Sequence, residues 1–163
     1  MFASCGGYGG GSTPAPAPAA AGERLIVAVR HAEKVDDGSR DPALTEAGVE
    51  RAQALAALLA GAGVERVLSS DFIRTRDTAA PTATAAGVQI EIYDPRDIPG
   101  LAEALLAATE RVILVVGHSN TTPALVAELT GQPADPMPEE EYDRLYRIIV
   151  RPDGFAAARV ERY

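Results

Sequence analysis

The hydrophobic and polar positions of residues 23–163 alternate between short apolar runs and longer helical patterns. Runs rich in β-branched residues, typical of buried strands, lie at 25–30, 64–69, 88–93 and 112–116. Predicted helices follow them at 46–61, 70–87, 99–109 and 121–130. Two further strands, 145–151 and 155–161, flank a Pro-Asp-Gly turn and predict a hairpin. Strands that alternate with helices indicate an α/β fold with a mostly parallel sheet covered on both faces.

Local signals refine three of the predicted helices. Thr45 is the predicted N-cap of the first helix, and the glycines at 61 and 63 end that helix. Pro81 lies in the second helix and is expected to kink or break it, because proline lacks the N–H that a helix interior needs. Pro123 falls in the first turn of the fourth helix, where a proline fits.

Residues 1–22 differ in composition from the rest of the chain. They are rich in Gly, Ser, Pro and Ala, which predicts a flexible tail outside a single domain at 23–163. The small residues before Cys5 and the Gly/Ser-rich stretch after it are similar to the lipobox and tether of bacterial lipoproteins. The alternative is an ordinary tail with an incidental cysteine. A lipid anchor at Cys5 would place the protein at the cell envelope, and without it the expected location is the cytoplasm.

Composition and charge narrow the function classes. The chain has 163 residues, 47% of them hydrophobic, which suffices for one domain with a substantial core. Its net charge of −8 argues against a general nucleic-acid-binding surface. No apolar run reaches the roughly 18 residues that a membrane span needs. With one cysteine, the chain can form neither an intrachain disulfide nor a cysteine-based zinc site.

Both histidines of the chain follow predicted strands. His31 comes after Arg30 at the end of the first strand, and His118 follows the strand at 112–116. Ligands of open α/β sheets bind beyond the carboxyl ends of the strands, so these side chains are expected to share one crevice. Arg74 and Arg76 lie early in the second predicted helix, although Arg76 is expected to face solvent. Guanidinium groups in a local pocket of an acidic protein suit a phosphoryl group.

The chemistry that such a crevice favours is phosphoryl transfer. A neutral imidazole is a nucleophile toward phosphorus, and nearby arginines disfavour its protonated form. The same arginines neutralise charge on the transferred group. A phosphorylated histidine that is then hydrolysed by water would need neither a metal nor an organic cofactor, and none is expected.

Four segments together resemble the histidine phosphatase (phosphoglycerate mutase-like) superfamily. They occur in that family's order and contain both histidines: "VRHAEK", "LTEAGVERAQALA", "SSDFIRTRDTA" and "VVGHSN". The first resembles the family's Arg-His-Gly signature, with Ala32 where glycine is usual. The short domain, with no room for a large insertion, is similar to the small phosphohistidine phosphatases.

The resemblance implies a three-layer α/β/α sandwich and a set of site residues. It assigns His31 as the phosphoryl acceptor, and it implies that the phosphoryl group is bound by Arg30, Arg74 and His118. Ser119 and Asn120, in the same block as His118, are predicted to contribute to substrate binding.

The proton donor is the part of the family pattern that matches least. Larger members place a glutamate just after the third strand, but here that region contains only the carboxylates of Asp94 and Asp97. We expect Asp97 to be the acid, with Asp94 second and Glu33 third. The alternative is that no efficient acid exists, which the hydrolysis of a P–N bond or an activated ester would tolerate.

Two classes of function follow from the sequence. The first is a phosphatase acting on a phosphorylated small molecule or a phosphohistidine protein. The second is a non-catalytic domain that binds phosphate or a phosphoprotein. A purely structural role for the strand-end histidines is the third and simplest interpretation. The acidic run at 139–141 is expected to be a solvated loop or helix start, with a lid over the site as the alternative.

Overall fold

A computed structural model describes residues 22–163. It contains six strands, β1 Arg24–Arg30, β2 Arg66–Ser70, β3 Ile90–Tyr93, β4 Val112–Gly117, β5 Arg144–Val150 and β6 Ala156–Arg162. It contains four helices, α1 Glu46–Leu59, α2 Ile73–Ala86, α3 Ile98–Ala107 and α4 Thr121–Thr130. The predicted alternation of strands and helices is therefore confirmed. The predicted tail and the Cys5 lipidation site fall almost entirely outside the described residues.

The strands form one sheet in the order β3-β2-β4-β1-β5-β6. Strands β3, β2, β4 and β1 are parallel to one another. The β5–β6 hairpin is antiparallel and joins the sheet next to β1. The chain passes from β1 over the position of β4 to β2 and β3, and then returns to insert β4 between β1 and β2. The carboxyl ends of these three adjacent strands therefore meet at the point where the strand order reverses, which is where ligands bind in such sheets.

The two faces of the sheet carry separate cores. Along β1, Leu25, Val27 and Val29 face a cluster that includes residues of α1 and α2. Ile26 and Ala28 face the opposite cluster, which includes residues of α3 and α4. This alternation with period two buries the strand on both sides and explains why its sequence is continuously apolar. The result is a three-layer α/β/α sandwich, as expected.

Helix α2 begins later than predicted, and of the two outcomes expected at Pro81, a kink or a break, the break does not occur. Ser70 belongs to β2 and the helix begins at Ile73, so the serine ends a strand instead of starting a helix. Pro81 lies inside the helix without ending it. Residues on both sides of the proline, including Ala79 and Thr82, are buried, and Ala79 packs in a cluster with residues of α1 and the sheet. Tertiary packing of this face offsets the helix bond that the proline lacks.

Helix α1 begins as predicted. Thr45 is its N-cap, and the side-chain oxygen accepts a hydrogen bond from the Gly48 amide at 3.1 Å. A Cβ at Gly48 would lie 2.1 Å from the carbonyl oxygen of Glu33, so the glycine allows α1 to pack against the segment that leaves β1. No helix within residues 22–163 is long and apolar enough to cross a membrane.

Candidate active site

Strand register brings the two histidines together. Arg30 at the end of β1 pairs with Gly117 at the end of β4, so His31 and His118 follow directly on adjacent parallel strands. The His31 amide donates to the Gly117 carbonyl at 2.8 Å. The two imidazole rings lie edge to face with their centroids 5.5 Å apart. The sequence prediction that both rings share one crevice is confirmed.

The hydrogen bonds of His31 leave one ring nitrogen available. Nδ1 lies 2.8 Å from the carbonyl oxygen of Ala32, which can only accept, so Nδ1 carries the proton and Nε2 holds a lone pair. The residue is 3% exposed. Burial lowers the pKa of His31 to about 3, and the positive charges of Arg30 and Arg74 contribute in the same direction. His31 is therefore neutral and nucleophilic at physiological pH.

A chain of hydroxyl groups orients His118. Its Nε2 lies 2.8 Å from the Ser70 hydroxyl, which in turn lies 3.0 Å from the Thr75 hydroxyl. Thr75 donates its proton to backbone carbonyls at 2.9 Å, so it accepts from Ser70, and Ser70 accepts from Nε2–H of the histidine. Burial, followed by the charges of Arg74 and Arg30, lowers the pKa of His118 to about 4. This ring is also neutral, with its lone pair on Nδ1.

Arg30 is buried at 1% exposure and is held by the 138–142 loop. Its Nη1 donates to the backbone carbonyls of Pro138, Glu139 and Glu141 at 3.2, 2.7 and 3.0 Å. Its guanidinium carbon lies 4.2 Å from the centre of the Tyr142 ring. These contacts fix the plane of the guanidinium group.

Arg74 enters the site from the first turn of α2. Its guanidinium lies over the Phe72 ring at 4.6 Å, and the same ring packs edge to face against His118 at 5.0 Å. Its Nη1 lies 3.5 Å from a carboxylate oxygen of Asp41, which also accepts from the Ile73 amide.

Several guanidinium nitrogens of the site have no hydrogen-bond partner within residues 22–163. They are Nε of Arg30 and both Nε and Nη1 of Arg74. A buried donor without a partner costs free energy, and such groups in a native structure are typical of a site that binds an acceptor. The two neutral imidazoles lie beside these donors. The arrangement can therefore bind an oxyanion and present a nucleophile to it.

Ser119 and Asn120, which follow His118, differ in their contacts. The Ser119 hydroxyl donates to the carboxylate of Glu139 at 2.8 Å, next to Arg30. Asn120 is exposed at the N-cap position of α4, and its side chain makes no capping hydrogen bond. Their contribution to substrate binding stays a prediction.

A known protein family matches the part of the sequence that carries three of the site residues. The sequence model of the histidine phosphatase superfamily (branch 1) matches residues 26–103, a segment that contains Arg30, His31 and Arg74. Over this segment, just under half of the chain, the sequence is similar to the histidine phosphatase superfamily. This similarity supports a phosphatase activity in general terms. No curated protein sequence matches the chain.

Solved structures of phosphatases share the fold. A protein histidine phosphatase SixA in complex with tungstate is 22% identical, with a TM-score of 0.69, over 85% of this chain and 96% of that one. A SixA protein from Nakamurella multipartitia is 25% identical, with a TM-score of 0.66, over 86% and 96%. A mycobacterial glucosyl-3-phosphoglycerate phosphatase is 18% identical, with a TM-score of 0.66, over 86% and 98%. Proteins named for different substrates thus share this architecture.

The three carboxylates predicted as candidate proton donors all have other partners. Asp97 is the N-cap of α3 and accepts from the Gly100 amide at 3.0 Å. Asp94 pairs with Arg96 at 2.9 Å on the surface. Glu33, expected in a solvated turn, instead forms a two-pronged ion pair with the half-buried Arg51. A proton-donating role for Asp97 stays a prediction.

A matched pair of variants separates capping from proton donation at Asp97. We expect Asp97→Ala to lower the free energy of unfolding by about 1 kcal/mol, because the α3 cap is lost, and Asp97→Asn to leave it unchanged. Urea unfolding of both variants measures this effect. If Asp97 also donates a proton, both variants will slow alkyl phosphates far more than nitrophenyl phosphate. Equal kinetics of both variants and wild type on each ester would assign Asp97 to capping alone.

Some residues of the site were not predicted from the sequence. The Ser70 hydroxyl contacts His118 and is itself bonded to Thr75, Thr78 accepts from the Ala32 amide at 2.9 Å, and Asp41 approaches Arg74. Short polar side chains at a strand end and on the inner face of the next helix are the only sequence signal for the three hydroxyl residues. Asp41 carries no such signal, because it lies in a polar loop of mixed composition.

Proposed function

We propose that this protein is a metal-independent phosphatase that hydrolyses a phosphomonoester or phosphohistidine through a phosphorylated His31. The observation that carries the proposal is the set of guanidinium donors on Arg30 and Arg74 that make no hydrogen bond within residues 22–163, beside two neutral imidazoles. These donors suit the equatorial oxygens of a transferring phosphoryl group. No group of three or more His, Cys, Asp or Glu side chains that could hold a metal ion occurs in the described part of the chain.

In the first step, Nε2 of His31 forms a bond to phosphorus as the bond to the leaving group breaks. The electron pair of the broken bond departs with the leaving group, and the His31 ring becomes positively charged. The Ala32 carbonyl stabilises that charge through Nδ1–H, to which it is already bonded at 2.8 Å. In the second step, water attacks phosphorus, loses a proton and releases phosphate, and the electron pair returns to Nε2.

The remaining polar groups hold the phosphoryl group in place. Arg30 and Arg74 neutralise the charge on its oxygens, which is the main catalytic requirement of phosphoryl transfer. His118 is held rigidly by Ser70, and its predicted contact with the phosphoryl group requires a proton on Nδ1, because Nε2–H is bonded to Ser70. Positioning by such groups is effective because the site is preorganised before the substrate binds.

The expected substrates follow from the state of the three candidate proton donors. Asp97, Asp94 and Glu33 all bond to other groups, so help for an alkoxide leaving group is weak. General-acid catalysis is worth about 10²–10⁴-fold. We therefore propose fast turnover of p-nitrophenyl phosphate or phosphohistidine and slow turnover of sugar phosphates.

A time course with p-nitrophenyl phosphate tests the proposal. We expect continuous release of nitrophenolate, unchanged rates in EDTA and inhibition by vanadate, which mimics five-coordinate phosphorus. Loss of activity in EDTA that a divalent ion restores would refute metal independence. Binding of phosphate without any turnover of p-nitrophenyl phosphate or a phosphohistidine peptide would instead favour a non-catalytic binding domain.

A further inference from the structure

The carboxylate of Glu139 contacts two residues of the candidate active site. One oxygen accepts from Nη2 of Arg30 at 3.1 Å, and the other accepts from the Ser119 hydroxyl at 2.8 Å. The Glu139 side chain is 74% exposed, whereas the Arg30 side chain is 2% exposed. His31 is similarly buried, at 3% exposure. The imidazole therefore lies at the floor of the site and the carboxylate lies at its mouth.

The direction of attack places the leaving group on the side of Glu139. In phosphoryl transfer the attacking and leaving atoms lie roughly in line on opposite sides of phosphorus. With His31 at the floor, the leaving group points toward the solvent-exposed mouth. The group that departs from phosphorus therefore leaves next to a carboxylate.

We propose that Glu139 determines substrate specificity by favouring a leaving group that carries positive charge, such as a protonated phosphohistidine ring, over one that departs as an anion. This inference rests on the proposed function and narrows its substrate class. Glu139 belongs to the acidic run at 139–141, which the sequence predicted to be a solvated loop or helix start, with a lid as the alternative. The inference gives this run a role in substrate selection.

The charge state of Glu139 suits this role and not that of a proton donor. The hydrogen bond from Ser119 and the positive charge of Arg30 lower its pKa from the ordinary glutamate value. The side chain is therefore ionised at neutral pH and has no proton to give to a leaving oxygen. A fixed negative charge instead stabilises a nearby cation and destabilises a developing anion.

The bond changes explain why the leaving group matters. In phosphohistidine one ring nitrogen bears the phosphoryl group, and protonation of the other makes the ring cationic. When Nε2 of His31 forms its bond to phosphorus, the substrate P–N bond breaks and its electron pair stays on the substrate ring. That ring departs as neutral imidazole with no further proton transfer. An ester leaves its electron pair on oxygen, as an alkoxide or phenolate.

The loop around Glu139 allows the charge to be tested without disturbing the fold. Three backbone carbonyls of the loop bind Arg30, and these bonds do not depend on the Glu139 side chain. The neighbouring residue, Glu140, is exposed and lines the surface beside Glu141 and Tyr142. Glu140→Gln therefore removes the same charge from the adjacent position and serves as the matched control.

The test compares wild type, Glu139→Gln and Glu140→Gln on two substrates. One is a short peptide in which phosphohistidine is the only charged side chain. The other is p-nitrophenyl phosphate, whose leaving group departs as an anion. We expect Glu139→Gln to lower the ratio of kcat/KM for the peptide to kcat/KM for the ester by about tenfold, with opposite changes on the two substrates. Glu140→Gln should change the ratio by less than about twofold. Melting temperatures measured by circular dichroism check that the variants fold alike.

Three results would overturn the inference while leaving the proposed function intact. An equal rise of kcat/KM on both substrates would mean that Glu139 only competes with the phosphoryl group for Arg30. A loss confined to the ester would show that the Glu139 carboxylate assists departure of an anion, which is the opposite of the proposed selectivity. An unchanged ratio in Glu139→Gln would remove any selective role. Failure of the wild-type protein to hydrolyse either substrate would instead refute the proposed phosphatase itself.

Discussion

Replacement of His31 by alanine is expected to reduce kcat by at least about 10⁴-fold, because the substitution removes the nucleophile that forms the covalent intermediate. Wild-type protein quenched during turnover should carry an acid-labile phosphoryl group on the peptide that contains His31, detected by mass spectrometry. The His31→Ala variant should carry none. Both histidines are neutral, so nucleophilicity alone does not distinguish them.

His118→Ala provides the matched control for this assignment. It removes the other ring of the pair but retains Nε2 of His31, so the variant should be slower and still accumulate label on His31. Label on the peptide that contains His118, or wild-type turnover in His31→Ala, would contradict the assignment. Circular dichroism of both variants confirms that the loss is not one of folding.

Replacement of Arg74 by glutamine is expected to lower kcat/KM by about 10²–10³-fold, the usual cost of removing one donor to a developing charge. Its buried Nε and Nη1 make no hydrogen bond within residues 22–163, and the ion pair of Nη1 with the partly exposed Asp41 is long at 3.5 Å, so the fold itself gains little from them. We therefore expect the melting temperature not to fall in this variant while activity and vanadate inhibition are lost. Residues that are maintained for binding often show this separation of stability from activity.

Arg76→Gln is the control for the Arg74 prediction. Arg76 lies two residues further along α2, with a side chain that is 43% exposed and paired with Asp71. The same chemical change there should alter kcat/KM by less than about twofold. Similar losses of activity in the two variants would show that general surface charge, and not a contact with the phosphoryl group, explains the Arg74 effect.

The fold was largely predictable because its signals are local. The continuous apolar run of β1, the Thr45 cap and the glycines after α1 are each encoded within a few residues. Errors arose where a distant contact decided the outcome. Pro81 stays within α2 because both sides of it pack on the body of the protein, and Ser70 extends β2 because it pairs with Tyr93 of β3.

The candidate site was predictable in its principal groups and not in their partners. Arg30, His31 and His118 could be placed because the ends of parallel strands share one edge of a sheet. The cap at Asp97 and the ion pair of Glu33 depend on where a helix starts and on which helix lies alongside. The spacing of acidic residues in the sequence predicts neither the cap nor the ion pair.

The sequence by itself determined the strand-end placement of both histidines and the α/β class, since periodicity and residue type act over one element at a time. Only the tertiary structure decided that β4 lies between β1 and β2, which aligns Ser70 with His118. It also decided that the 138–142 loop folds onto Arg30 and brings Glu139 to the mouth of the site. The physical reason is that strand order and loop position depend on hydrogen bonds between residues far apart in the chain. A buried guanidinium group attracts the carbonyl groups of whichever loop can reach it.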